Sequence, residues 1–166
     1  MVTSSQIGNC IKWSLQNIHG NISEKIIQNA MMYKLRSIGI ECQQEVVLPI
    51  LSGNVFLGYN RFDIFIPSQS NGKSKITIIE LKLLSGSIKK GFEVSRTHEQ
   101  CAGYKACASR IFGNDAHMDV YVVNTWRIPG VPVQYKHEVI RVASKTQRPP
   151  MCIKTRKNGR QSKIRR

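Results

Sequence analysis

The sequence predicts an α/β domain with a mixed central sheet of about four to five strands flanked by helices. Three observations lead there. Two N-terminal stretches repeat apolar residues at helical spacing. The runs after them are rich in β-branched and aliphatic residues and are bounded by turn signals. A further helical stretch separates two of these runs, the strand–helix–strand order of a parallel pair. The 166 residues, 41% of them hydrophobic, suffice for one domain with its own core.

Taken in order, Ile7, Ile11, Leu15 and Ile18 mark the first helix, with Ser4 or Ser5 as its N-cap and Gly20 as its stop. A second helix is expected over 24–38. Ser23 is its cap, Gly39 its stop, and Ile27, Ala30, Met31, Leu35 and Ile38 its apolar stripe. Residues 45–51 read as a strand whose Pro49 suggests an edge or bulge. After a turn at 52–54, the chain returns over 55–66, with Gly58 a candidate break. Pro67, with 68–75 and its Asn71-Gly72 pair, reads as a hairpin loop. Residues 76–84 form the next strand and 85–92 a loop. A third helix is expected over 94–112, with Cys101, Tyr104, Ala108, Ile111 and Phe112 on its apolar face. Gly113 to Asp115 make a turn, and Met118 to Asn124 a strand expected beside 76–84; if the two are parallel, the third helix is a right-handed crossover. His137 to Val142 make a short last strand.

Charge divides the chain. Net charge is +15. Residues 1–140 carry 15 Lys and Arg with all ten acids; residues 141–166 carry ten Lys and Arg and no acid. The domain therefore spans 1–144, and 145–166 is expected to be a weakly ordered basic arm. Such asymmetry points to a polyanion, most simply nucleic acid. In the arm, Lys154, Arg156, Lys157, Arg160, Lys163, Arg165 and Arg166 are candidate phosphate contacts, and the run also reads as a nuclear import signal. Lys89, Lys90 and Arg96 are candidates on the body.

No apolar run is long enough for a membrane span, and the N-terminus lacks the basic-then-apolar order of a secretory signal. Five scattered cysteines suggest a reducing, intracellular setting. The spacings of His98, Cys101, Cys107 and His117 do not match those of structural zinc sites.

The chemistry concentrates in residues 61–82. Asp63 sits in the apolar run 62–66, and Glu80 and Lys82 share a face with Ile78 on the following strand. Charged groups on apolar strands are costly unless paired or used. If the strands pair antiparallel, Asp63 and Glu80 can approach one sheet edge, a place for a hard divalent cation. The bland alternative is an edge aspartate beside an ordinary Glu–Lys ion pair.

Asp63, a loop, then Glu80-Leu81-Lys82 resembles the PD-(D/E)xK nuclease superfamily. The wider pattern is similar to its GxxExxY group: Glu24, Tyr33-Lys34-Leu35-Arg36, Gly39-Ile40, Arg61-Phe62-Asp63, and Gln100 four residues before Tyr104. The likeness covers residues 20–142. It departs where the group's Gly falls on Asn21 and its Tyr on Ile27. The resemblance implies a restriction-endonuclease-like core and hydrolysis of phosphodiesters, DNA before RNA, with Mg²⁺ or Mn²⁺. Asp63 and Glu80 would be metal ligands, with the Leu81 carbonyl and Glu24 as further ones. Lys82 would position or activate water, and Gln100 would orient water or phosphate. A homodimer is also consistent with such folds. A catalytically inactive nucleic-acid-binding or packaging protein on the same fold is the alternative.

Overall fold

The computed structural model describes residues 2–52, 54–70, 73–87, 99, 100, 103, 104, 107, 110–113, 117–130 and 134–142. Five strands form one sheet in the order β1-β2-β3-β4-β5. They are β1 (Gln43–Ser52), β2 (Val55–Ser70), β3 (Lys73–Leu83), β4 (His117–Arg127) and β5 (Tyr135–Val142). β1, β2 and β3 form an antiparallel meander, β4 runs parallel to β3, and β5 closes the sheet antiparallel. The result is an α/β fold with a five-stranded mixed sheet, as the strand runs predict. The basic arm lies outside the described residues, as do Lys89, Lys90, Arg96, Cys101 and Ala108.

Two helices precede the sheet, α1 (Ser4–Asn17) and α2 (Glu24–Ser37). The α1 cap is Thr3, one place before the expected serines. Its hydroxyl accepts from Gln6 N, while the Gln6 side chain accepts from Thr3 N, a reciprocal capping box. Gln6 explains the choice, because a capping box needs Gln or Glu three residues on. Ile18 in extended conformation ends α1, before Gly20 is reached. Ser23 caps α2 as expected, and Gly39 follows its last turn with φ 79°, a conformation cheap only for glycine. Ile38, expected on the apolar stripe, is 45% exposed; the helix has ended at Ser37, and the buried positions are Ile27, Gln28, Met31, Met32 and Leu35.

The sheet separates two cores. On one face Ile64, Ile66, Ile79, Leu81, Tyr121 and Val123 pack against Ile7, Ile11, Ile27, Met31 and Leu35 of the helices. On the other, Phe62, Phe65, Ile76, Ile78, Val120 and Val122 pack with Tyr104 and Cys107. The described residues among 99–112 are helical, so this stretch covers the second face. Tyr104 is buried there, but Ile111 and Phe112 are 42% and 38% exposed. Phe112 is not idle, since its ring stacks on Phe65 at the periphery.

The expected loop over 67–75 is mostly strand. β2 runs to Ser70 and β3 begins at Lys73, because the polar residues of this stretch keep pairing up to Ser70 with Lys73. β2 continues through Gly58 as strand, but the register shifts there: Ile50 pairs with Gly58 and Leu51 with Phe56, which leaves Leu57 as an extra residue beside the expected break. Gly58 has φ 151°, which accommodates that shift.

Candidate metal-dependent active site

The sheet opens where the carboxylates gather. β2 and β3 pair from Ser70 with Lys73 up to Ile64 with Ile79 and no further. Beyond that point β2 stays with β1, while β3 stays with β4 up to Leu83. Leu84 N donates to Thr125 O of β4, so the even-numbered N–H groups of this part of β3 face β4. The odd-numbered ones face the gap left by β2. Unpaired N–H groups there need acceptors.

Two carboxylates supply them. Asp63 Oδ2 accepts from Leu81 N at 2.7 Å, and Glu24 Oε1 accepts from Leu83 N at 2.8 Å. Asp63 comes from β2 and Glu24 from the first turn of α2, so strand and helix are both tied to the exposed flank of β3. The Leu81 carbonyl, on the same side as its N–H, faces the gap as well.

Asp63 stands at a break in its own strand. Phe62 and Phe65 lie in one core and Ile64 and Ile66 in the other, so strict alternation fails at Asp63. Opposite it, Glu45 has φ 55°, the left-handed region that a side chain occupies at a cost. The Asp63 carbonyl takes its hydrogen bond from Gln28 Nε2 of α2 instead. Gln28, 2% exposed, is the residue sequence reasoning misses. The available signal was a glutamine on the buried side of α2, one turn after Glu24.

Glu80 projects from the other face of β3 and is 3% exposed. Lys82 Nζ donates to its Oε1 at 2.7 Å, and Gln100 Nε2 donates to the same oxygen at 2.9 Å. Tyr104 OH donates to Glu80 Oε2 at 2.9 Å and accepts from Gln100 Nε2. Burial, then the adjacent Glu80 charge, push the Tyr104 hydroxyl far above the ordinary tyrosine range, which keeps it a donor. Lys82 is pulled down by burial but raised more by Glu80, Asp63 and Glu24; the net shift is upward, so it stays cationic. Glu24, Asp63, Glu80, Lys82 and Gln100 therefore line one cleft with Tyr59, Asn60, Arg61 and Tyr104. Its volume of about 370 Å³ holds roughly a dozen waters, room for a phosphate with its hydration.

The Asp63 carboxyl is pushed from an ordinary 3.8 up to about 6, first by burial and then by the negative charge of Glu80. The Leu81 N–H and Lys82 only partly offset this. Burial is the larger cause, and the neighbouring Glu80 charge adds to it. Among the described residues, no three His, Cys, Asp or Glu side chains converge as a ready-made metal cage. Mg²⁺ does not need one, since it takes one or two carboxylates and keeps several waters. Asp63 and Glu80 are a carboxylate pair of that chemistry lining one cleft, while Leu81 lines the adjoining groove with Asp63 and Glu24.

At the rim, Glu45 accepts from Lys25 Nζ at 3.1 Å and from Arg61 Nε at 2.9 Å. Both cations are more than half exposed. They border a second groove that shares Glu24, Arg61 and Asp63 with the first.

No known family's sequence pattern matches the chain, and no curated protein matches it. A solved structure described as "Crystal structure of SSO0001" is 15% identical, with a TM-score of 0.41 over 81% of this chain and 74% of that one. No helix among the described residues is long and apolar enough to cross a membrane.

Proposed function

We propose that the protein is a metal-dependent nuclease of the PD-(D/E)xK kind. The observation that supports this most is the opening of the sheet after Ile79. It leaves Asp63 and Glu80 in one small cleft, with the cationic Lys82 hydrogen-bonded to Glu80, while Leu81 lines the adjoining groove that shares Asp63. A bound Mg²⁺ or Mn²⁺ would supply charge neutralisation at the phosphate and acidify a water. Asp63 and Glu80 would hold the cation, with Leu81 O completing the protein's share and Glu24 reaching it through water.

The chain's own groups divide the remaining work. Gln100 and Tyr104 fix Glu80 so that its carboxylate does not swing away when Lys82 turns to substrate. Lys82, held protonated, presents N–H donors to an attacking water or to the developing charge on the phosphorus oxygens. Gln28 holds the break at Asp63 open. The net charge of +15, ten of it in residues 141–166, favours a polyanion as partner of the chain. DNA is preferred over RNA as the substrate on the resemblance alone, and the basic residues of 145–166 would hold its backbone.

Asp63→Ala is expected to abolish cleavage of labelled DNA while leaving salt-sensitive binding in place. Cleavage at the wild-type rate by Asp63→Ala would remove Asp63 from the mechanism.

A second reading has its own support. Glu80 is fully engaged by Lys82, Gln100 and Tyr104, and no metal cage is preformed among the described residues. A nucleic-acid-binding protein without turnover would tolerate this. It requires that deleting 145–166 removes most of a steeply salt-dependent affinity; a truncated chain that binds as before rules it out.

A further inference from the structure

The β1–β2 hairpin carries an exposed apolar surface. Val55, Phe56, Leu57 and Tyr59 are each more than half exposed, Tyr59 most at 67%. Phe56 and Tyr59 touch, with ring centroids 4.8 Å apart. This patch is not remote from the site: Tyr59 lines the same cleft as Asp63, Glu80 and Lys82, beside Asn60 and Arg61. At about 3.3 Å per strand residue, Tyr59 stands about 13 Å along β2 from Asp63. One nucleic-acid strand running along the arm would pass both.

Two features separate a polynucleotide from a second copy of the chain as the occupant. Strand-to-strand pairing along β1 is blunted by Pro49 and by the left-handed Glu45. Exposed cations also lie on one side of the rings: Arg61, two residues from Tyr59 on β2, and Lys25, both paired with Glu45, on a chain of net charge +15. Aromatic faces beside backbone-binding cations are how single strands are held. A single strand can bring a phosphate down to the deeply buried Glu80.

We propose that Tyr59 and Phe56 form a stacking platform for unpaired bases, so that the substrate is single-stranded at the scissile phosphate. This rests on the nuclease reading for the word substrate, but its test does not.

The test measures binding in EDTA, where no cleavage occurs. A single-stranded oligonucleotide with 2-aminopurine is titrated against the full-length protein, and against Tyr59→Ala, Phe56→Ala and Tyr59→Phe. Wild type and Tyr59→Phe should change the 2-aminopurine emission on binding. Tyr59→Ala should lose that change and bind about tenfold more weakly. A blunt duplex should be bound with equal affinity by all four. Light scattering on each variant reports oligomeric state. The proposal is overturned if Tyr59→Ala keeps the emission change and affinity, or if its only effect is to split a dimer. Metal-dependent cleavage by wild type, measured separately, tells the two readings apart. Cleavage with normal Tyr59→Ala binding defeats the platform alone, and stacking without any cleavage defeats the nuclease alone.

Discussion

Replacing Asp63 by Asn should make the metal-free protein more stable, although the residue is central to the proposed activity. The Asp63 carboxyl is held at about 6 against an ordinary 3.8, because burial and Glu80 disfavour its charge. The folded chain binds this proton more tightly than the unfolded chain does. The contribution of Asp63 to stability is therefore greatest below about pH 4 and falls as pH rises through about 6. A difference of roughly two pKa units corresponds to at most about 3 kcal/mol. The side chain is only partly buried, so solvent screening reduces this to about 1–2 kcal/mol. Asparagine removes the charge but keeps an oxygen to accept from Leu81 N. Thermal or urea unfolding in EDTA at pH 7.5 should place Asp63→Asn above wild type by about 2–8 °C in Tm. The gap should close near pH 4. Added Mg²⁺ or Mn²⁺ should raise wild type and not the variant, since a ligand of the folded state stabilises it. A variant less stable than wild type at pH 7.5, or a gap that persists at pH 4, would refute this electrostatic account of the cleft.

Other residues give separable outcomes. Lys82→Ala should slow cleavage by about a hundred- to a thousandfold with little change in substrate affinity, measured by single-turnover kinetics; an unchanged rate would exclude Lys82 from the chemistry. Gln28→Ala leaves the Asp63 carbonyl without its donor and should cost about 1–2 kcal/mol in urea unfolding. It should also weaken the metal dependence of cleavage, which a purely structural glutamine would not do. Arg141→Met strips the buried Asp119 of its main partner, 2.6 Å away on β5, and should lower the urea midpoint, by less than loss of a fully buried pair would because Arg141 is 58% exposed. Its cleavage rate at a temperature where the variant is folded should equal that of wild type.

What the sequence made legible, and what it did not, follows from what periodicity encodes. The phase of β3 is plain: Ile79 and Leu81 enter one core, and Ile78 and Glu80 face the other side. The sequence places β4 beside β3 and leaves its direction open; the two pair parallel, the case in which the helical stretch between them is a crossover. The Ser23 cap and Gly39 stop of α2 follow from local backbone chemistry. Pairing length is different. Nothing in the residues near Ile79 announces that β2 leaves β3 there; the separation shows only as carboxylates replacing strand acceptors at Leu81 and Leu83. The break in alternation at Asp63 is equally hidden, because Phe62 and Phe65 are apolar whichever face they take. Gln28 is invisible for a related reason: a glutamine in a helix reads as surface unless the neighbouring element offers it an unpaired carbonyl. Glu24 sits where a helix N-terminus favours a carboxylate, and that reading is true but incomplete, since it also serves Leu83 N.

The central claim is that this opened sheet edge is a working hydrolytic site. Labelled single- and double-stranded DNA and RNA, incubated with wild type or Glu80→Ala in Mg²⁺, Mn²⁺ or EDTA, test it most directly. The account predicts cutting by wild type with either metal, none in EDTA, and none by the variant under any condition. Equal cutting by Glu80→Ala, or no cutting by wild type on any of the four substrates despite tight binding, would contradict it.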